Sequence, residues 1–218
     1  MEGRPNTKKG IVYSELKQQI INNQIPGDKP LTVKALCSQY DVSRTTIREV
    51  LEMLISEGFL MQMKGAGYFV KLIDYQDMVE IYELREVLEV LAVKLFVERL
   101  NPERKGHFKE YVRLQEKAYW KDDHENFMRL DMKIHALIAE GARNRKLENA
   151  LKSIYSQIQL MAAAAQDDAV VRKMASQSHS MLLENIERHD VQGAQKVMQQ
   201  HVAEVRDYHK SRYYLYTK

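Results

Sequence analysis

One carboxylate and three imidazoles stand where helices expect apolar side chains. Asp131 and His135 are i, i+4 neighbours beside Phe127, Ile134 and Ile138. His179 lines up with Leu182, Leu183 and Ile186, and His201 with Ala194, Val197, Met198, Val205 and Tyr208. A lone His on such a face is more often a hydrogen-bonded core residue than a ligand. Asp131 and His135 could also simply pair along their helix, worth ~0.2–0.5 kcal/mol. Together, the four carry a stronger implication. They come from three helical segments and all point inward, and burying them unpaired is costly. A divalent metal removes that cost by binding all of them in their deprotonated forms. Three His and one carboxylate suit Zn²⁺, Ni²⁺, Mn²⁺ or Fe²⁺. His107, His124, His189 and His209 fall at helix ends or on mixed faces and read as surface residues.

The elements that must position this cluster are helices. Six can be drafted, at about 76–100, 102–119, 122–141, 144–165, 168–188 and 191–214, and their length and amphipathic pattern predict an antiparallel all-α bundle. In the first of them the stripe Met78, Ile81, Leu88, Ala92, Leu95 is interrupted by Arg85.

The first third reads differently. Val12, Leu16 and Ile20 mark a helix, and Pro26-Gly27 marks a turn. Thr32 can cap a short helix over 33–40, broken at Asp41-Val42. Ser43 can cap a third helix, whose stripe is Ile47, Val50, Leu51, Leu54 and Ile55. Two short strands follow, Phe59–Met63 and Tyr68–Lys71, joined through Gly65 and Gly67. Helix, helix, turn, helix, hairpin is the order of a winged helix-turn-helix. Its recognition helix enters the major groove N-terminal residues first. Here that helix opens Ser43-Arg44-Thr45-Thr46-Ile47-Arg48. Arginine forks onto guanine, and short hydroxyls reach phosphate or base edges. Arg48 lies off the apolar stripe; Arg44 is argued only by its place in the first turn.

The stretch PGDKPLTVKALCSQYDVSRTTIREVLEMLISEGFLMQMKGAGYFV, Pro26–Val70, resembles the DNA-binding domain of GntR-superfamily transcription regulators. Thr46 and Val50 depart from the family's usual Pro and Ala. The resemblance implies DNA contacts by Lys34, by Ser43, Arg44, Thr45, Thr46 and Arg48, and by the wing residues Lys64 and Gly65. From about 77 to 210 the chain resembles the FCD effector domain of the FadR-like branch. The marks are Asp131 and His135, then Asn144 and Leu147, then His179 and His201, with Leu84-Arg85 and Leu88-Glu89 earlier. That resemblance implies a metal held by Asp131, His135, His179 and His201, and a small carboxylate effector beside it, with Arg85 as its charge-assisted partner. Arg85 reads equally as a structural salt bridge to an acidic neighbour.

Composition sets the frame. The chain has 218 residues, 44% hydrophobic and 29% charged, with one Cys and a net charge of +3. A packed core is affordable, and a disulfide framework is excluded. Residues 1–72 carry 10 Lys/Arg against 7 Asp/Glu, and the remainder 23 against 23, so the whole surplus sits at the front, on the side that would face a polyanion. No apolar run approaches a membrane span, and a cytoplasmic bacterial protein without membrane contact is expected. The expected domains are 1–73, a winged helix-turn-helix, and 77–218, an effector and dimerisation bundle. The expected function is a homodimeric, ligand-responsive repressor on palindromic double-stranded operator DNA. The alternatives are a metal-dependent enzyme acting on a small organic acid, and a bundle that serves only dimerisation through a polar core.

Overall fold

A computed structural model describes residues 7–164 and 169–216. The chain divides into two compact units, one of Met1–Asp74 with Ser156–Ala165, the other of Tyr75–Tyr155 with Gln166–Lys218.

The first unit contains α1 (Lys8–Ile21), α2 (Val33–Tyr40), α3 (Arg44–Ser56), β1 (Leu60–Met63) and β2 (Gly67–Val70). Local chemistry sets each boundary. Thr7 accepts from the Gly10 amide and so starts α1 earlier than its apolar stripe does. Thr32 caps α2 through the Ala35 amide, and Ser43 caps α3 through the Thr46 amide. Asn23 and Asp41 take the left-handed conformation, at φ 53° and 50°, where the chain turns away from α1 and α2. The hairpin is antiparallel, with Leu60 opposite Val70 and Met63 opposite Gly67. Its turn uses Gly65 at φ 79° and Gly67 at φ 117°, backbone that an L side chain rarely adopts. A side chain at Gly67 would also press on the Leu31 carbonyl, which belongs to a bridge pairing Leu31 with Tyr68. The core is built from Val12, Leu16, Ile47, Leu51, Leu54 and Phe59, with Leu160 completing it.

The second unit is helical. It is built from α4 (Tyr75–Glu98), α5 (Pro102–Trp120), α6 (His124–Gly141), the first part of α7 (Arg145–Ala164), α8 (Ala169–Glu187) and α9 (Val191–Tyr216). Asn101 caps α5 ahead of Pro102, Asp123 caps α6, and Asp190 accepts from the Gly193 amide at the head of α9. The preceding turns bend at left-handed Asp122, Arg143 and His189. α4 packs on α9 and α6, α5 on α6 and α8, and α8 on α9. Five of these helices therefore converge on one interior. That interior holds Phe96, Phe108, Ile134, Leu182 and Met198 together with an unusual set of buried polar groups. Among the described residues, no helix is long and apolar enough to cross a membrane.

Candidate metal centre and nucleic-acid interface

Six buried polar side chains of the second unit gather in one cluster. α4 contributes Arg85 and Glu89, α5 Gln115, α6 His135, α8 His179 and α9 His201, all nearly or fully buried. Asp131, on α6, is half-buried at the edge. The imidazole rings make a near-equilateral triangle, with centroids 5.2 Å apart for His135–His179, 5.3 Å for His135–His201 and 5.1 Å for His179–His201. Each offers a nitrogen, and the three nitrogens all lie within 4.8 Å of one another. That spacing lets one ion reach all three with small movements.

Hydrogen bonding shows which atoms are engaged. His135 Nδ1 lies 2.5 Å from Glu89 Oε2, and Arg85 Nε donates to Glu89 Oε1 at 2.6 Å. Burial alone would raise the Glu89 carboxyl; the adjoining His135 and Arg85 outweigh it and hold the pKa down at about 2. An ionised carboxylate only accepts, so Nδ1 of His135 donates, and in the neutral ring the lone pair falls on Nε2. That Nε2 faces Arg85 Nη2 at 3.3 Å and Asp131 Oδ2 at 3.9 Å. His179 Nε2 and His201 Nδ1 are buried and have no hydrogen-bond partner among the described residues. Burial pushes His179 down to about 4 against the opposing pull of Asp131, and pushes His201 well below the ordinary imidazole value. Both rings are therefore neutral near pH 7, the form in which imidazole binds metal. Three neutral or oriented imidazoles, two of them with orphaned nitrogens, suit a divalent ion. Asp131 stands beside the triad rather than inside it: Oδ1 is 3.8 Å from His179 Nδ1, the nitrogen turned away from the centre.

In the first unit, Lys34, Ser43, Arg44, Thr45, Arg48, Lys64 and Gly65 are all exposed. Ile47, Val50, Leu51 and Leu54 take the inner face of α3, which turns Arg44 and Arg48 outward. Thr46 differs from the rest. It is half-buried, its amide donates to Ser43 Oγ at 3.2 Å, and its hydroxyl lies 2.9 Å from the same oxygen. Thr46 thus completes the cap.

Residues 80–204 match the FCD domain, and residues 8–70 match the bacterial regulatory proteins of the gntR family. The chain belongs to the GntR family, with an FCD domain. Over 143 residues it is 29% identical to the uncharacterized HTH-type transcriptional regulator YdhC of Bacillus subtilis, covering 65% of this chain and 64% of that protein. Over 133 residues it is 29% identical to the Nta operon transcriptional regulator of Aminobacter aminovorans, covering 61% and 62%. The matched stretches span a little under two thirds of these curated relatives. The fold resembles the solved structure of McbR/YncC of E. coli, at a TM-score of 0.73 and 23% identity over 93% of this chain and 99% of that one. The family and these relatives are transcriptional regulators, not enzymes.

Two buried residues of this GntR-family chain escaped the pattern reading. Glu89 was legible only as part of a Leu-Glu pair, although it lies i+4 from Arg85 on the same buried face. Gln115 sits on the α5 stripe Phe108, Val112, Ala118, the same signal that exposed the histidines. Of the four histidines expected at the surface, His107, His124 and His189 are exposed, whereas His209 is half-buried with its ring 5.8 Å from Tyr82.

The depressed His179 value sets a stability window in the chelated protein. The unfolded chain takes up a proton near 6.5, and the folded one not until about 4, so stability is whole above 6.5 and falls as pH drops toward 4. At 1.36 kcal/mol per unit, His179 alone accounts for about 3 kcal/mol. Urea midpoints across that range should decline in the chelated protein and decline less in His179→Phe; a flat profile would mean that the ring is not held neutral.

Proposed function

We propose that the chain is a metal-containing, effector-responsive transcription repressor, with a DNA-binding domain over about 1–73 and an effector domain over about 77–218. The observation that carries this reading is the closed triangle of buried imidazoles, two with unpartnered nitrogens, in a chain whose other unit presents arginines from a capped recognition helix. His135, His179 and His201 would hold a divalent ion (Zn, Ni, Mn or Fe), with Asp131 reaching in from the edge. Bound there, the ion supplies a positive charge and an open coordination position for an anion.

Arg85 supports a carboxylate as that anion. Its Nε is committed to Glu89, while the guanidinium fork carries further N–H donors on the side facing His135. A small carboxylate metabolite bound to metal and Arg85 would bias the placement of the DNA-binding domains. Couplings of ~1–3 kcal/mol are typical of such switches.

Dimerisation finds support on α4. Leu84, Val87 and Leu91 are 52%, 66% and 40% exposed, and their i, i+3, i+7 spacing puts them on one face. A stripe of that kind on an otherwise packed helix suits a two-fold contact with a second copy, and a two-fold dimer reads a palindromic operator.

Four outcomes test the reading. Purified protein should carry close to one divalent ion per chain by elemental analysis, and a His179→Ala, His201→Ala double variant should carry almost none; a folded wild-type chain that binds no metal would remove the centre. On an operator selected from random duplexes, Arg48→Ala should cost ~1–3 kcal/mol and relax sequence preference, as a lost guanine contact does. Lys34→Ala should weaken all duplexes alike and lower the salt slope by about one. Val87→Asp, which sets like charges against each other across a two-fold axis, should shift the sedimentation mass from two chains to one; an unchanged dimer would place the interface elsewhere.

A further inference from the structure

α5 contributes no imidazole and no carboxylate to the triad, yet it buries a polar side chain completely. Gln115 is 0% exposed, and both ends of its amide are engaged. Its Nε2 donates to Asp131 Oδ1 at 3.0 Å, and its Oε1 lies 2.7 Å from His179 Nδ1. These contacts settle one another. A carboxylate accepts and does not donate, so the end facing Asp131 is the NH₂ group. The other end is then the carbonyl, which can only accept, and His179 Nδ1 must carry the hydrogen. The lone pair of His179 is thereby placed on Nε2, the buried nitrogen that has no partner among the described residues. One oxygen of Asp131 is also taken, which leaves Oδ2 as its atom on the His135 side, 3.9 Å from His135 Nε2.

We propose that Gln115 is a positioning residue for the metal centre: it selects the ligating nitrogen of His179 and the ligating oxygen of Asp131, and locks the two to each other. This rests on the metal reading above and specifies what holds its ligands in place. Glu89 orients His135 in the same way from α4, so two of the three imidazoles are steered by a side chain from a helix that supplies no ligand. The devices differ in consequence. Glu89 is charged, also binds Arg85, and steers a single ligand. Gln115 is neutral and joins ligands from two helices, α6 and α8, so its loss frees both together. Partners of this kind typically set metal affinity by 10–100-fold.

The test uses full-length protein. Long-range proton–nitrogen correlation spectra of histidine-labelled wild type should show His179 as the Nδ1–H tautomer in chelated protein and Nε2 as its metal-bound nitrogen after Zn²⁺ loading. An Nε2–H tautomer, or metal at Nδ1, overturns the inference without need of any variant. Gln115→Met keeps the volume and removes both hydrogen bonds. It should raise the Co²⁺ dissociation constant 10–100-fold in chelator competition, alter the visible Co²⁺ spectrum, and let His179 mix its tautomers. Gln115→Glu retains an acceptor for His179 and should restore the Nδ1–H tautomer. If wild type binds metal, and Gln115→Met binds it equally well with the same spectrum, the centre stands and this role for Gln115 falls. If wild type binds none, the metal reading itself falls, and the role with it.

Discussion

A polar atom inside an apolar bundle must give its hydrogen or its lone pair to something, and the second unit is organised by that requirement. Removing a donor or acceptor from water without a partner costs about 1–3 kcal/mol, and more for a charge. Arg85, Glu89, Gln115, His135 and His179 meet the demand through a chain of contacts that runs from α4 through α6 to α8 and α5. Where the chain ends, two nitrogens are left over, on His179 and His201, and they lie in one place. Among the described residues, the second unit thus brings two unpartnered imidazole nitrogens into one cluster of three buried rings.

The first unit works by the opposite principle. Its interior is almost wholly apolar, and its chemistry is turned outward. Ile47, Val50, Leu51 and Leu54 fill the inward side of α3, and that choice alone orients Arg44 and Arg48 toward solvent. The cap at Ser43 with Thr46 fixes where the helix begins, and so which residues stand at its exposed tip. A helix that began one residue later would present a different set of side chains, because each residue advances the face by roughly 100°.

Much of this was readable in advance, for reasons that differ by residue. Caps are local chemistry, so Thr32 and Ser43 announced where helices begin. The histidines were readable because an imidazole on a stripe of Leu and Ile violates its surroundings. Glu89 and Gln115 violated theirs equally, but Glu and Gln are such ordinary helix residues that their position on the buried side did not stand out. What pairing alone cannot reveal is distance. Asp131 shares a face with His135, and only the structure places its carboxylate beside the triad and turned partly toward Gln115. The division of α7 was equally hidden. Its apolar pattern runs unbroken, yet Leu160 belongs to the core of the first unit.

That last detail bears on how the molecule could be taken apart. A fragment ending at residue 73 would lack Leu160, a buried aliphatic side chain whose transfer from water is worth roughly 1.5–3 kcal/mol. The truncated half would open a greasy notch to solvent, and proteases or chaperones would meet it as damaged goods. Severing the chain at residue 73 therefore removes one buried side chain from the core of the first unit. A fusion or two-hybrid bait cut there would carry a wound, and a faithful dissection must supply the missing plug from far downstream.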